Sequence, residues 1–279
     1  MFVNRQWCIV VLLLAVAVLS ACIRSERNTN GKEASMKKLE ERDSGYAAGP
    51  EQWRHFLACW QAAVRRPVLP DSDPLLSSVL APLAEINTSE STAVTSARRD
   101  AIASLEQRLG TRLPRSYKDF LLVYRPKSVG GSAAAAAVHG LWDTPRVGFL
   151  SVIVPQMLPI LDEYAYDADD SEYYIYGSQQ DDVIFRSRYV KNAIVIGQYS
   201  GSMHELIVLY PDSRTMDGEM EAAWIQHSGQ FRAPSFAELM RQLSVTEALH
   251  TAGDGLNHPQ AKLKGTCAEK LPLQNVWWD

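Results

Sequence analysis

The spacing of apolar residues changes near residue 145, and this change restricts the chain to folds that combine helices with a sheet. Upstream, apolar residues recur every three to four positions, as on one face of a helix. Downstream, short β-branched runs alternate with turn residues until a last helical pattern begins at Ser235. Closely spaced strands with short turns favour an antiparallel meander. The sequence therefore predicts an α+β protein with a mainly antiparallel sheet flanked by helices.

The helical patterns have recognisable ends. Residues 51–66 place Trp53, Phe56, Leu57, Trp60 and Val64 on one stripe, which predicts an N-terminal helical extension. A second helix within 96–109 stops at Gly110, and Pro114 suits the first turn of a third. Ser235 and Glu238 form a capping box, which predicts that the last helix starts there. The predicted strands are residues 149–154, 183–185, 193–196, 205–210 and 220–226.

An apolar run from Cys8 to Leu19 follows a single basic residue, Arg5. The run is shorter than the roughly 20 residues of a membrane span and suits the centre of a signal peptide. It ends in Leu-Ser-Ala-Cys at residues 19–22, which resembles the lipobox of bacterial lipoproteins. We expect cleavage after residue 21, and a Cys22 thiol that carries acyl chains such as palmitate. An uncleaved membrane helix is the alternative.

Composition divides the rest of the chain and limits its partners. Ile23 instead of Asp after the lipidated cysteine favours the outer membrane, by resemblance to known lipoproteins, with the protein on the periplasmic side. With 28 Lys and Arg against 32 Asp and Glu, and no basic patch, the chain is not expected to bind nucleic acid. The expected segments are a signal peptide at 1–21, a flexible tether at 22–50, a helical extension and linker at 51–95, the main domain at 96–245 and a tail at 246–279.

Two cysteines remain after the expected processing. Cys8 leaves with the signal peptide and Cys22 takes the lipid, so Cys59 and Cys267 are left. In an oxidising compartment such a pair commonly forms a disulfide. It would close most of the chain and stabilise it by about 4 to 5 kcal/mol in the chain-entropy model. Two separate reduced thiols are the alternative.

The block from Leu105 to Phe120, Leu-Glu-Gln-Arg-Leu-Gly-Thr-Arg-Leu-Pro-Arg-Ser-Tyr-Lys-Asp-Phe, resembles the opening signature of the SMI1/KNR4 (SUKH) superfamily. Members carry a helix that ends in Leu-Gly, then Leu-Pro, a Tyr-Lys-x-Phe helix and paired glycines, which here are Gly130 and Gly131. Val129 departs from the Asn that usually precedes them. The similarity covers residues 96–245 and extends to later blocks at Ile194–Gly197, Glu205–Leu209 and Ser235–Leu239.

The resemblance implies an α+β fold and a non-enzymatic, protein-binding role. Bacterial members are widely regarded as immunity proteins against polymorphic toxins, and fungal relatives act in cell-wall signalling. We therefore expect an immunity-like lipoprotein that neutralises a toxin or effector in the cell envelope by binding it. Because a shared fold does not fix function, two alternatives stay open. One is a structural or adaptor lipoprotein of the envelope, and the other is a hydrolase with an unrecognised site.

Motifs for catalysis and metal binding are missing from the sequence. It contains no G-x-S-x-G elbow, no P-loop and no G-x-G-x-x-G, and His204-Glu205 lacks the second histidine of a zinc motif. The segment from Asp167 to Glu172 resembles a calcium loop only faintly, because Glu172 stands where the loop needs glycine. We expect no catalytic residue, metal or cofactor.

The stretch from Val147 to Phe185 contains no Lys or Arg, but it contains many acidic residues interleaved with tyrosines. Acidic charge steers a basic partner, and tyrosine supplies contact area at low entropic cost. A binding face for a cationic protein is one interpretation, and a solvated acidic loop with half-buried tyrosines is the other. The candidate contact residues are Asp162, Glu163, Tyr166, Asp167, Asp169, Asp170, Glu172 and Tyr174.

Overall fold

The computed structural model describes residues 38–64, 84–86, 92–126, 140–164, 168–199, 205–226, 229–251 and 265–274. The helices are α1 (Pro50–Val64), α2 (Thr92–Leu109), α3 (Arg115–Val123), α4 (Leu150–Ile153), α5 (Met157–Tyr164), α6 (Asp170–Tyr173), α7 (Ser187–Lys191) and α8 (Phe236–Thr251). The strands are β1 (Ala84–Ile86), β2 (Tyr124–Pro126), β3 (Gly148–Phe149), β4 (Ile194–Gln198), β5 (Leu206–Arg214), β6 (Met220–Gln226) and β7 (Gly229–Ala233). The expected signal peptide, the lipidation site Cys22 and the paired glycines lie outside the described residues.

A five-stranded antiparallel sheet with the order β3-β4-β5-β6-β7 forms the centre of the fold. Strands β4 to β7 follow one another along the chain, so they form the meander that the turn spacing predicts. Strand β3 completes one edge, and α4 to α7 lie between it and β4 in sequence. The α+β fold with a mainly antiparallel sheet is confirmed.

Both faces of this sheet are covered, because every residue of β7 and nearly every residue of β6 is buried. On one side α8 packs against β6 and β7, and α1 and α3 pack against α8. Phe236 is the centre of this helical layer, since its ring lies 5.4 Å from Trp53 and 5.2 Å from Phe120. Residues 168–192 cover the opposite face, where side chains reach Glu221 on β6.

The N-terminal helix is part of the core although it precedes the family-like region. Trp53, Phe56, Leu57 and Trp60 are all fully buried, as their helical spacing predicts. The disulfide between Cys59 and Cys267 joins α1 to a short 3₁₀ turn at Cys267–Lys270, with 5.5 Å between the two Cα atoms. This turn packs on both α1 and α8. None of the described helices has both the length and the apolar character needed to cross a membrane.

Two predicted strands are wrong. Residues 149–154 form a strand only at Phe149 and then turn into α4, because the partner strand begins at Ile194 and Leu150 N–H already bonds the carbonyl of Ala193. Residues 183–185 lie over the sheet without joining it. The carbonyl of Ile184 instead accepts a hydrogen bond from the side chain of Gln230, at 2.6 Å from Nε2. In both places β-branched residues indicated a strand that the tertiary structure does not supply with a partner.

Candidate functional site

The predicted contact residues that the structure describes belong to one structural unit, the described residues of 150–192, which we call the outer layer. It comprises α4 to α7 and their connections. The strand register places the side chains of Tyr210, Glu221 and Arg232 on one face of the sheet. The outer layer lies on this face. Tyr166 and Asp167 lie outside the described residues.

Basic residues from elsewhere in the chain neutralise two of the predicted acids. Asp162 forms an ion pair of 3.1 Å with Lys191 and accepts a hydrogen bond from Ser187, and these contacts hold the pKa of Asp162 below its usual value. Asp170 lies 2.7 Å from Arg186 and 3.8 Å from Lys38. The local stretch lacks Lys and Arg in sequence, but the fold supplies them in space.

The remaining described acids face solvent. Glu163, Asp169 and Glu172 are exposed on successive helices or their ends. Glu163 and Asp169 make no ion pair with another residue that the structure describes. The outer layer therefore presents unneutralised negative charge at Glu163 and Asp169, with Asp162 and Asp170 tied to cations beside them.

The tyrosines of the stretch whose side chains the structure describes, Tyr173, Tyr174 and Tyr176, are core residues. Tyr174 is only 7% exposed and shares a hydrogen bond of 2.8 Å with the hydroxyl of Tyr189. Its predicted role as a contact residue is therefore corrected, because its ring faces the sheet and not solvent. Tyr173 and Tyr176 are buried in the same way. For these tyrosines the structure favours the interpretation in which they pack into the core. The exposed acids remain available at the surface.

A buried ion pair attaches the outer layer to the sheet. Glu221 and Arg232 are both fully buried, with 3.6 Å between their charged groups. Tyr173 Oη donates to Glu221 Oε2 at 3.2 Å and Tyr176 Oη donates to Glu221 Oε1 at 3.1 Å. Burial raises the pKa of Glu221 above its usual value, while the charge of Arg232 opposes that rise. The guanidinium also lies over the ring of Tyr173, with 4.2 Å between its carbon and the ring centroid.

The main-chain carbonyl groups complete this attachment. Arg232 Nη1 donates to the carbonyl of Tyr173, and Gln180 Nε2 donates to the carbonyl of Arg232 at 3.2 Å. In return, the N–H of Arg232 donates to Gln180 Oε1 at 2.8 Å. Sequence reasoning missed this network. The available signal was the presence of charged and amide residues inside strands that are otherwise apolar.

A second buried carboxylate caps α3, the Tyr-Lys-x-Phe helix of the family-like signature. Glu219 accepts hydrogen bonds from the N–H of Ser116 at 2.8 Å and from its hydroxyl, at the first turn of α3. Burial, with the nearby carboxylates of Asp217 and Asp119, raises the pKa of Glu219 to about 7, although the Ser116 bonds oppose the shift. Asp217 in turn accepts from Ser44 N–H at 2.9 Å. These acids hold the segment before α1 and the start of α3 in place.

The described residues contain no group of three or more His, Cys, Asp and Glu side chains that could hold a metal ion. The two buried carboxylates described above form a helix cap at Glu219 and an ion pair at Glu221. The fold and the site together define an α+β domain whose candidate site is the exposed surface of one helical layer.

The family of this domain follows from comparison with known families. The model of the SMI1/KNR4 family (SUKH-1) matches residues 96–242, from α2 into α8. The chain belongs to the SMI1/KNR4 (SUKH-1) family, and its helix α1 and the 3₁₀ turn at Cys267–Lys270 lie outside the matched region. No curated protein and no solved structure matches the chain.

Proposed function

We propose that this chain is a lipid-anchored protein-binding module that neutralises a toxin or effector in the cell envelope by covering it. Membership of the SMI1/KNR4 family supports a protein-binding role. The exposed acids of the outer layer support a basic partner, because negative charge accelerates the encounter with positive charge. On this proposal the protein acts by contact, without catalysis and without a cofactor.

The observation that carries the proposal is the rigid support beneath Glu163 and Asp169. Tyr173 and Tyr176 attach the outer layer to the sheet through their hydrogen bonds to Glu221. Within the layer, Lys191 pairs with Asp162 and Arg186 pairs with Asp170. A surface that is ordered before binding loses little conformational entropy when its partner arrives. Acids on a fixed layer can therefore increase both the association rate and the specificity for a partner of opposite charge.

Charge reversal in the outer layer tests the binding role. The partner would be recovered from envelope fractions by cross-linking and mass spectrometry, and its affinity for the chain would be measured at two salt concentrations. We expect Glu163→Lys with Asp169→Lys to weaken binding at least tenfold and to flatten its salt dependence. The matched control is Glu51→Lys with Asp100→Lys, which reverses two exposed acids on α1 and α2. Equal affinity and equal salt dependence in both double variants would remove the proposal.

The envelope location rests on the lipobox-like residues 19–22 and is tested separately. Cys22→Ala should abolish incorporation of labelled palmitate and leave the precursor at its full mass, while the wild-type chain is labelled and sediments with outer membranes. An unlabelled wild-type chain in the cytosol would contradict the proposed anchor. Recovery of cell-wall or secretion machinery as the partner, instead of a toxin, would identify a structural or adaptor lipoprotein.

A further inference from the structure

The outer layer carries exposed apolar side chains as well as acids. Among the described residues, the large hydrophobic side chains that face solvent are Val152, Ile160, Val183 and Met216, and the first three belong to the outer layer. Val152 on α4 is 73% exposed and Ile160 on α5 is 38% exposed. Exposed apolar groups that occur together are a common property of binding surfaces.

The exposed residues of α4 and α5 alternate with buried ones. Val152 on α4, Gln156 in the connection, and Ile160 and Glu163 on α5 are all exposed, whereas Leu150, Val154, Met157 and Leu161 are buried. The two short helices contact each other. Pro155 and Pro159 are also exposed. We call Val152 to Glu163 on this outward side the α4–α5 stripe. It is apolar over most of its length and acidic at its C-terminal end.

Glu163 supplies the negative charge at the acidic end of the stripe. Ile160 and Glu163 are three residues apart on a helix, so their side chains are neighbours. The adjacent Asp162 is already paired with Lys191 at 3.1 Å, whereas Glu163 makes no ion pair with another described residue. A cation supplied from outside the chain would therefore meet Glu163 next to the apolar surface of Ile160.

We propose that the α4–α5 stripe is a docking surface for a protein that presents apolar side chains beside Lys or Arg. This inference rests on the proposed binding function and specifies its contact surface. An apolar centre with a polar rim is the usual anatomy of a protein interface, and a few central side chains supply most of the binding free energy. Val152 and Ile160 are the central side chains, and Glu163 is the charged rim that selects a basic partner.

Other occupants fit this stripe less well. An anionic lipid surface would repel Glu163, since like charges are brought together as the apolar groups insert. A second copy of the same stripe in a two-fold arrangement would offer Glu163 no cation, because the stripe contains no Lys or Arg. Charge complementarity therefore favours a basic protein over both.

The test compares serine substitutions within the stripe with a serine substitution elsewhere on the surface. Val152→Ser with Ile160→Ser removes the apolar part of the stripe, and neither side chain belongs to the buried core, so we expect the variant to remain folded. Met216→Ser is the matched control, because Met216 is 68% exposed but lies in the turn between β5 and β6, where its N–H donates to the carbonyl of Arg42. Circular dichroism would verify that all variants remain folded.

The probe is a fluorescent amphipathic helical peptide of Leu and Lys, with a Leu–Glu peptide for comparison. Anisotropy would be measured with the full chain in nanodiscs of zwitterionic lipid, so that the lipid contribution is the same for every variant. We expect saturable binding of the Leu–Lys peptide, at least tenfold weaker binding to the double serine variant, and wild-type binding to Met216→Ser. The Leu–Glu peptide should not bind.

Three results would overturn the proposal: no saturable binding of the Leu–Lys peptide, equal binding by the double serine variant, or an equal loss with Met216→Ser. A concentration-dependent dimer in sedimentation velocity that the double serine variant abolishes would assign the stripe to self-association instead. The peptide assay does not use the envelope partner. Its failure is therefore distinguishable from failure of the proposed function, which the lysine substitutions at Glu163 and Asp169 test with that partner.

Discussion

Single buried carboxylates determine how the stability of this protein depends on pH. Burial raises the pKa of Glu219 to about 7, whereas an unfolded chain has a glutamate value near 4.5. Between these two pH values the folded state holds a proton that the unfolded state has lost, so the free energy of unfolding falls as pH rises. One group with such a shift contributes roughly 3 kcal/mol across the window.

Glu219→Gln should remove this contribution. We expect the free energy of unfolding of the variant to change less than that of the wild type between pH 5 and pH 7.5, because glutamine does not titrate. Urea denaturation at three pH values measures the difference. Glu163→Gln is the control, since this exposed glutamate is replaced without any change in burial. Parallel pH curves for wild type and Glu219→Gln would show that Glu219 is ionised in the fold across the whole range.

Because Glu221 and Arg232 form a buried pair, we expect the stability effects of replacing them to be strongly non-additive. Arg232→Met leaves a carboxylate buried without its cation, and loss of one partner of such a pair typically costs about 3 to 5 kcal/mol. Glu221→Gln with Arg232→Met should recover part of that loss, because the neutral amide oxygen can accept from one of Tyr173 and Tyr176 while its NH2 donates to the hydroxyl of the other. Urea denaturation of the four proteins measures the coupling. Additive effects would contradict a direct interaction between the two side chains.

At the scale of elements, the sequence predicts the helices and strands whose own residues show a clear apolar pattern. Helices α1 and α2 have apolar stripes, and α2 ends at Gly110, while β4 and the first five residues of β5 are mostly apolar. Gly110 has a positive φ of 63°, so its role at the end of α2 is conformational.

Other elements depend on contacts that local sequence does not encode. Strand β7 was not predicted, because Gln230 and Arg232 are polar and their burial depends on Tyr210, Glu221 and residues 173–184. Helix α4 was predicted as a strand, because nothing within residues 149–154 reveals that β4 supplies no further backbone partner. The candidate site was predicted incompletely for the same reason. The sequence predicted an acidic segment, but only the fold shows which acids are paired with Arg186 and Lys191 and which tyrosines are buried.

At the scale of the whole molecule, the disulfide joins two extensions that lie outside the region matched by the family. Cys59 and Cys267 are 208 residues apart in sequence, and the bond fixes the turn at Cys267–Lys270 between α1 and α8. The backbone pairing of Tyr46 with Leu273 lies beside it. The extensions therefore close around the family domain, and its stability includes their contribution.

Cys59→Ser with Cys267→Ser should lower the free energy of unfolding by about 5 kcal/mol, since the unfolded chain regains the freedom of a very long loop. Reduction of the wild-type protein with dithiothreitol should produce the same loss, and reduction of the double variant should produce none. Guanidinium denaturation measures both. Two alkylated cysteines in the unreduced native protein, or equal stability with and without reductant, would contradict the covalent link.

The central proposal is that this protein acts by surface contact through its outer layer. Amide hydrogen exchange of the full chain, with and without the partner recovered from envelope fractions, locates the contact directly. The expected result is slower exchange in residues 150–164 and 168–192, with unchanged exchange in α1, α2 and the turn at Cys267–Lys270. Protection confined to residues 38–64 or 92–123, with none in the outer layer, would contradict it.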